Sequence, residues 1–158
     1  MPYIIDGNNL IGCSPDIALN EPDSREKLIA LVRKFYESKQ TKVTIVFDGS
    51  PQSGLFRNTI TPKFTIVYPT PGHSADDEIK KILKGYHHSN EVIVVTSDRE
   101  LKNFAREIGA KTKNSIEFYY ELKKACYQQG KQEETQKRIH ASLSANEVDN
   151  WLKIFGNE

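Results

Sequence analysis

The chain holds only two cysteines, Cys13 and Cys126, and neither has a partner at metal-ligand spacing. With no secreted context around them, reduced thiols are the expectation and a disulfide the minor alternative. Membrane-length apolar stretches are missing, and Met1-Pro2-Tyr3-Ile4-Ile5-Asp6 lacks the basic flank and apolar run of a signal peptide. A cytoplasmic location with no membrane partner follows as the expectation. Repeats and low-complexity tracts are also lacking. So is an excess of one charge: 22 basic and 21 acidic residues leave +1, a balance that argues neither for nor against nucleic acid. What is present is 158 residues with a 37% hydrophobic fraction, the material of one soluble domain with a real core.

Periodicity divides the chain into alternating strands and helices. Tyr3-Ile4-Ile5 is a short buried strand that stops at the turn-forming cluster Asp6-Gly7-Asn8-Asn9. Asp23-x-x-Glu26 has the spacing of a capping box, and Leu28, Leu31, Val32 and Phe35 follow at helical intervals. Val43–Phe47 reads as the second strand, residues 50–62 as a loop, and Phe64–Tyr68 as the third strand. A helix opens at Ser74 with Ile79, Ile82, Leu83 and Tyr86 on one face. Val92–Thr96 is the most uniformly apolar run and is expected near the middle of the sheet. Leu101, Phe104, Ala105 and Ile108 mark a helix that Gly109 ends, and 110–112 is a short edge strand. Residues 116–128 read as a helix and 130–141 as polar without a pattern. Ser144-x-x-Glu147 then caps a last helix bearing Val148, Trp151, Leu152 and Phe155. The order β-α-β-β-α-β-α predicts an α/β three-layer sandwich with a mostly parallel central sheet, plus C-terminal helices.

Three runs end alike: Ile4-Ile5-Asp6, Val46-Phe47-Asp48 and Thr96-Ser97-Asp98. In an open parallel sheet, ligands bind beyond the carboxyl ends of the strands. Carboxylates there, joined by Asp76-Asp77-Glu78 at the head of a helix, would repel one another unless a divalent cation neutralised them. No His or Cys constellation competes, so hard oxygen ligands point to Mg2+ or Mn2+ rather than zinc. Each acid also has a plain structural reading. Asp98 suits a helix N-cap, Asp48 before Gly49 a turn, and Asp77 the capping box Ser74-x-x-Asp77, which leaves Asp76 the better ligand of that pair. Asn9 either ligates through water, holds a phosphate, or satisfies loop backbone. Arg25 sits in a first helical turn, where the dipole opposes it and pairing with an acid or phosphate is favoured. Lys80, Lys81 and Lys84 read as a solvated helix face, and Tyr119 and Tyr120 as core and surface of one helix.

Asp6-Gly7-Asn8-Asn9-Leu10, Val46-Phe47-Asp48-Gly49, Ser74-Ala75-Asp76-Asp77 and Thr96-Ser97-Asp98-Arg99 stand in the order and spacing of the YacP-like NYN domains. Together these motifs resemble that family, which belongs to the PIN-like nuclease superfamily. The resemblance covers about residues 1–125, and 126–158 is similar to the family's helical tail. It implies an RNA endonuclease with a metal held by an acidic core at Asp6, Asp76 and Asp98. Asp77 would assist Asp76, and Arg25 matches an arginine at the start of the first helix. Because YacP-like proteins include ribosome-associated mRNA endonucleases, RNA is the implied partner and the ribosome a further candidate.

The reading is therefore hydrolysis of an RNA phosphodiester by a metal held at Asp6, Asp76 and Asp98, with Asp48 as an outer ligand. Asn8, Asn9, Arg25, Ser97 and Arg99 form the expected substrate-binding set. A haloacid-dehalogenase-type phosphatase would want Asp-x-Asp after the first strand, where Asp6 is followed by Gly7 and Asn8. A receiver-like domain would need a lysine after its last strand, and none is convincing. A module that binds RNA or the ribosome without cutting is the non-enzymatic alternative. The oligomeric state is not legible.

Overall fold

The computed structural model describes residues 1–50, 57–86 and 88–142. Strand β1 (Tyr3–Asp6) passes without a loop into α1 (Gly7–Cys13). Then come α2 (Ser24–Lys39), β2 (Val43–Val46), β3 (Arg57–Thr61), β4 (Phe64–Val67) and α3 (Ala75–Lys84). A 3-10 turn at Ser89–Glu91 leads to β5 (Ile93–Val95), α4 (Arg99–Glu107), β6 (Lys111–Lys113) and α5 (Ser115–Ser142). The six strands form one sheet in the order β3-β4-β2-β1-β5-β6, parallel throughout except for the antiparallel β3–β4 pair.

Alternation along the strands builds two cores. Ile5, Ile45, Ile66 and Val95 stand in register and bury against Leu10 and Ile11 of α1, Leu28, Val32 and Phe35 of α2, and Phe118 and Leu122 of α5. Ile4, Val46, Val67 and Val94 point to the opposite face, onto Ala75, Ile79 and Leu83 of α3 and Leu101 and Ala105 of α4. The molecule is thus the expected α/β sandwich, with α1, α2 and α5 on one side of the sheet and α3 and α4 on the other. Because β1, β2, β4, β5 and β6 all run the same way, every β-to-α junction lies at one end of the sheet.

Several local expectations need correction. The cluster at Gly7-Asn8-Asn9 is the opening of α1, not a turn; Leu10 and Ile11 bury its inner face, and tertiary packing outweighs poor helix propensity. Within the expected loop 50–62 lies β3, an edge strand whose Asn58 and Thr59 are exposed, so no apolar alternation betrays it. Asp23 makes no side-chain cap: its φ −104°, ψ 17° is not the extended conformation that aims a cap at the first amides. It lies instead 3.7 Å from Lys27. Strand β5 is interior but one place from the edge, while β1 and β2 hold the middle. The polar stretch 130–141 lies within α5. The expected final helix from Ser144, with Trp151, lies outside the described residues.

Other expectations hold. Ser74 and Asp77 form the reciprocal capping box of α3, and Gly109, at φ +87°, ends α4 in the left-handed region. Tyr119 is buried and Tyr120 exposed. Cys13 and Cys126 are both unpaired. Among the described residues no helix is long and apolar enough to cross a membrane.

Candidate active site

At the carboxyl end of the sheet, strand ends and helix beginnings meet, and at α1, α3 and α4 the meeting is made by an aspartate. Asp6 closes β1 and N-caps α1, accepting the Asn9 amide at 3.5 Å. Its other oxygen takes the Thr96 hydroxyl at 3.2 Å. Asp98 N-caps α4 through a 2.8 Å bond from the Leu101 amide, and its own amide donates to Thr96 Oγ1 at 3.1 Å. Asp48, just past β2, accepts the Ala75 amide at the head of α3 at 2.7 Å. Asp76 lies in the first turn of α3. Three helix N-termini thus face one crevice, and the unpaired amides of a first turn favour negative charge there.

The electrostatics bind these four acids into one group. Asp6 is only 4% exposed, and its pKa is raised to about 6, first by burial, then by the charge of Asp76 and, more weakly, of Asp48. The bonds from Asn9 and Thr96 oppose the rise. Asp76 is raised as well, first by partial burial, then by Asp98 and Asp48, against the pull of Lys80. Among the described residues, none of Asp6, Asp48, Asp76 and Asp98 has an ion-pair partner. Asp77 is engaged in the cap of α3. It is exposed, its carboxylate takes the Ser74 amide at 3.2 Å, and that bond holds its pKa below the ordinary value. His73 approaches it to 3.8 Å.

The amides and hydroxyls beside the acids act as ties. Asn8 Oδ1 accepts the Asp48 amide at 2.9 Å, fixing the end of β2 to α1. Asn9 Oδ1 accepts both the Ser97 amide, at 2.8 Å, and the Ser115 hydroxyl, at 2.7 Å. Ser97 Oγ accepts the Ser115 amide at the start of α5. Arg25 reaches over from α2 to donate to the carbonyls of Asp48 and Ser50 at 2.9 and 3.0 Å. Its guanidinium lies 5.7 and 5.3 Å from the ring centroids of Phe47 and Tyr68. Arg25 therefore meets backbone oxygens, not a carboxylate. Arg99, the first residue of α4, is exposed beside the crevice.

Thr96 and Ser115 had no role assigned from the sequence. Thr96 is fully buried and joins Asp6 to Asp98; the signal for it was a hydroxyl closing an otherwise apolar run just before Ser97-Asp98. Ser115 lies far along the chain from Asn9, and no local pattern announces that contact.

An all-oxygen donor set of four clustered acids suits a hard divalent cation. Among the described residues no three acidic, imidazole or thiol groups are grouped as a ready ligand shell.

The sequence model of the YacP-like NYN domain matches residues 3–156. Among solved structures, the chain is similar to the crystal structure of Rae1 (YacP) from Bacillus subtilis, with a TM-score of 0.75 and 19% identity, over 99% of this chain and 92% of that one. A single-substitution mutant of that protein aligns with a TM-score of 0.67 and 20% identity, over 93% of this chain and 88% of the other. At such identities the likeness speaks for the fold. No curated protein matches the chain significantly in sequence.

Proposed function

Because the chain belongs to the YacP-like NYN domain family, a nuclease-type, RNA-related fold, we propose that it is a metal-dependent endoribonuclease. The observation that carries this reading is the group Asp6, Asp48, Asp76 and Asp98 at one end of the sheet, in which burial and acidic neighbours raise Asp6 and Asp76 and none of the four has a cationic partner among the described residues. NYN nucleases of the PIN-like class generally use divalent metals, and Mg2+ or Mn2+ fits these donors. Asp6, Asp76 and Asp98 hold the cation directly or through water, Asp48 acts as an outer ligand, and Asp77 assists from the helix cap. When bound, the cation supplies an acidified water and offsets charge building on the phosphate.

The protein's own part is positioning. Asn8 and Asn9 fix the strand ends so that the acids keep their spacing, and their amide nitrogens, without a partner among the described residues, meet a phosphate or sugar oxygen. Arg25, Ser97 and Arg99 border the same crevice and orient the RNA backbone. Attack by water leaves 5′-phosphate and 3′-hydroxyl ends. RNA is the substrate, ribosome-associated mRNA its most specific candidate form, and the cytoplasm the place of action.

A second reading has an observation of its own. Asp6, Asp48 and Asp98 already accept backbone or hydroxyl hydrogen bonds, and no ready ligand shell exists among the described residues. That favours a module that binds RNA or the ribosome without cutting. One assay separates the two: a labelled RNA with paired and unpaired parts, incubated with Mn2+, Mg2+ or EDTA, beside Asp98→Asn. Asparagine is as good an N-cap as aspartate, so the variant should keep α4 and lose the charge. Metal-dependent cutting that disappears in the variant supports the nuclease. Cutting retained by a well-folded variant removes Asp98 from the site. Binding without cutting, on free RNA and on translating ribosomes, favours the module.

A further inference from the structure

The lysines of α3 are a charged surface that the carboxylate site does not use. Lys80, Lys81 and Lys84 occupy the later turns of a helix whose acids, Asp76, Asp77 and Glu78, are confined to the first. Two grooves flank this helix and share Lys81. One, of about 380 Å3, runs beside His73, Lys80 and Lys84 with Asp77 at its head; the other, of about 440 Å3, runs beside Lys42, Ile82 and Tyr86 with Glu78 at its head. Aromatic rings hold the ammonium heads in place. Lys80 and Lys84 lie 5.4 and 5.8 Å from the Phe104 centroid, and Lys42 lies 5.8 Å from that of Tyr86. Of these four lysines only Lys80 has a carboxylate partner among the described residues, Glu100 at 3.2 Å.

The helix dipole alone would account for Lys81 and Lys84. It does not account for Lys42, which comes from the approach to β2, nor for heads that are fixed over rings. The placement is also directional. The head of α3 is bonded to Asp48 at the carboxyl end of β2, and Tyr86, just past its tail, lies under Lys42 at the amino end. The lysines therefore lie on the path from the carboxylate crevice down the side of the domain, Lys80 to Lys84 spanning about 6 Å of α3 and Lys42 lying past its tail.

We propose that this face is a rail for the phosphodiester backbone of a single RNA strand flanking the bond to be cut. The proposal takes the identity of the polymer from the nuclease reading above. Lysine meets phosphate as a point charge and reads no base, so the rail tolerates any sequence. A row of cations one helix wide matches one backbone, not the two of a duplex. Rings that restrain the ammonium heads reduce the entropy lost when phosphate arrives.

The test measures binding without cleavage. The full chain in EDTA is titrated against a fluorescent single-stranded oligouridine at several salt concentrations. It is compared with Lys81→Gln/Lys84→Gln and with a control pair, Lys39→Gln/Lys124→Gln, which border a groove beside Tyr3 at the far end of the sheet. Thermal melting checks that each variant folds. The α3 pair is expected to bind about tenfold more weakly at low salt, with a salt slope shallower by about 1.4, the value for two lost phosphate contacts on a single strand. The control pair should bind as the parent does. Unchanged binding by the α3 pair overturns the rail, as does an equal loss in the control pair. Equally tight, equally lysine-dependent binding of a duplex overturns its single-strand character. Failure of the nuclease reading looks different: no RNA is cut, yet binding still depends on Lys81 and Lys84.

Discussion

Asp48 Oδ1 accepts the Ala75 amide at 2.7 Å, so the end of β2 and the head of α3 are held by one carboxylate. The same side chain raises the proton affinity of Asp6 and Asp76. Removing it therefore has two separable effects. Asp48→Ala is expected to cost about 1.5–3 kcal/mol by removing a hydrogen bond to a charged group, with a matching fall in Tm. Asp48→Asn keeps an oxygen for Ala75 and should melt near the parent, yet cleave more slowly for want of the charge. Melting and cleavage on both variants check this; equal melting of the two would show the bond to be dispensable.

Asp6 makes stability depend on pH in a defined direction. Its folded pKa of about 6 lies above the ordinary 3.8, so the folded chain holds the proton more tightly than the unfolded one. The stabilisation is full below pH 3.8 and is lost as pH rises through 6. The loss is on the order of 3 kcal/mol. Asp6→Asn, neutral throughout, should melt close to the parent near pH 4 and clearly above it near pH 7.5 in EDTA, while failing to cleave. Parallel melting curves across that range would refute the assignment.

The neighbours Asp76 and Asp77 should separate cleanly. Asp76→Asn is expected to abolish metal-dependent cutting with little change in melting. Asp77→Asn weakens the cap of α3, costing about 1 kcal/mol, and retains most of the activity. A reversed pattern in the cleavage assay would move the ligand role to Asp77.

Gly7 is required by close approach rather than by turn geometry. A Cβ added there would lie 2.6 Å from the Phe47 ring, itself packed against Tyr68. Gly7→Ala should therefore destabilise by about 1–3 kcal/mol, seen as a lower denaturant midpoint at unchanged slope. Gly7→Ala/Phe47→Leu should recover part of the loss.

The layers and the four acids were legible because the information for them is local. Apolar runs ending in Asp6, Asp48 and Asp98 announce strands that stop at a common edge, and the capping-box spacing from Ser74 distinguishes Asp77 from Asp76. Helix α1 was hidden because its seven residues span barely two turns and open on Gly and Asn, so neither period nor propensity marks it. Strand β3 was hidden because an exposed edge carries no apolar alternation. The ties made by Asn8, Asn9 and Thr96 were out of reach for another reason. Their partners lie 40, 88 and 90 residues away in the chain, and only the fold brings them together.

Strand β1 passes into α1 with no residue between them, and Asp6 belongs to both. The junction has no slack. One residue inserted after Asp6 would turn α1 by about 100° and swing Leu10 and Ile11 out of the core. One removed would turn it as far the other way. The length of the chain at this point is thus as constrained as its composition, and changes in length have to be absorbed where the backbone is not shared between two elements.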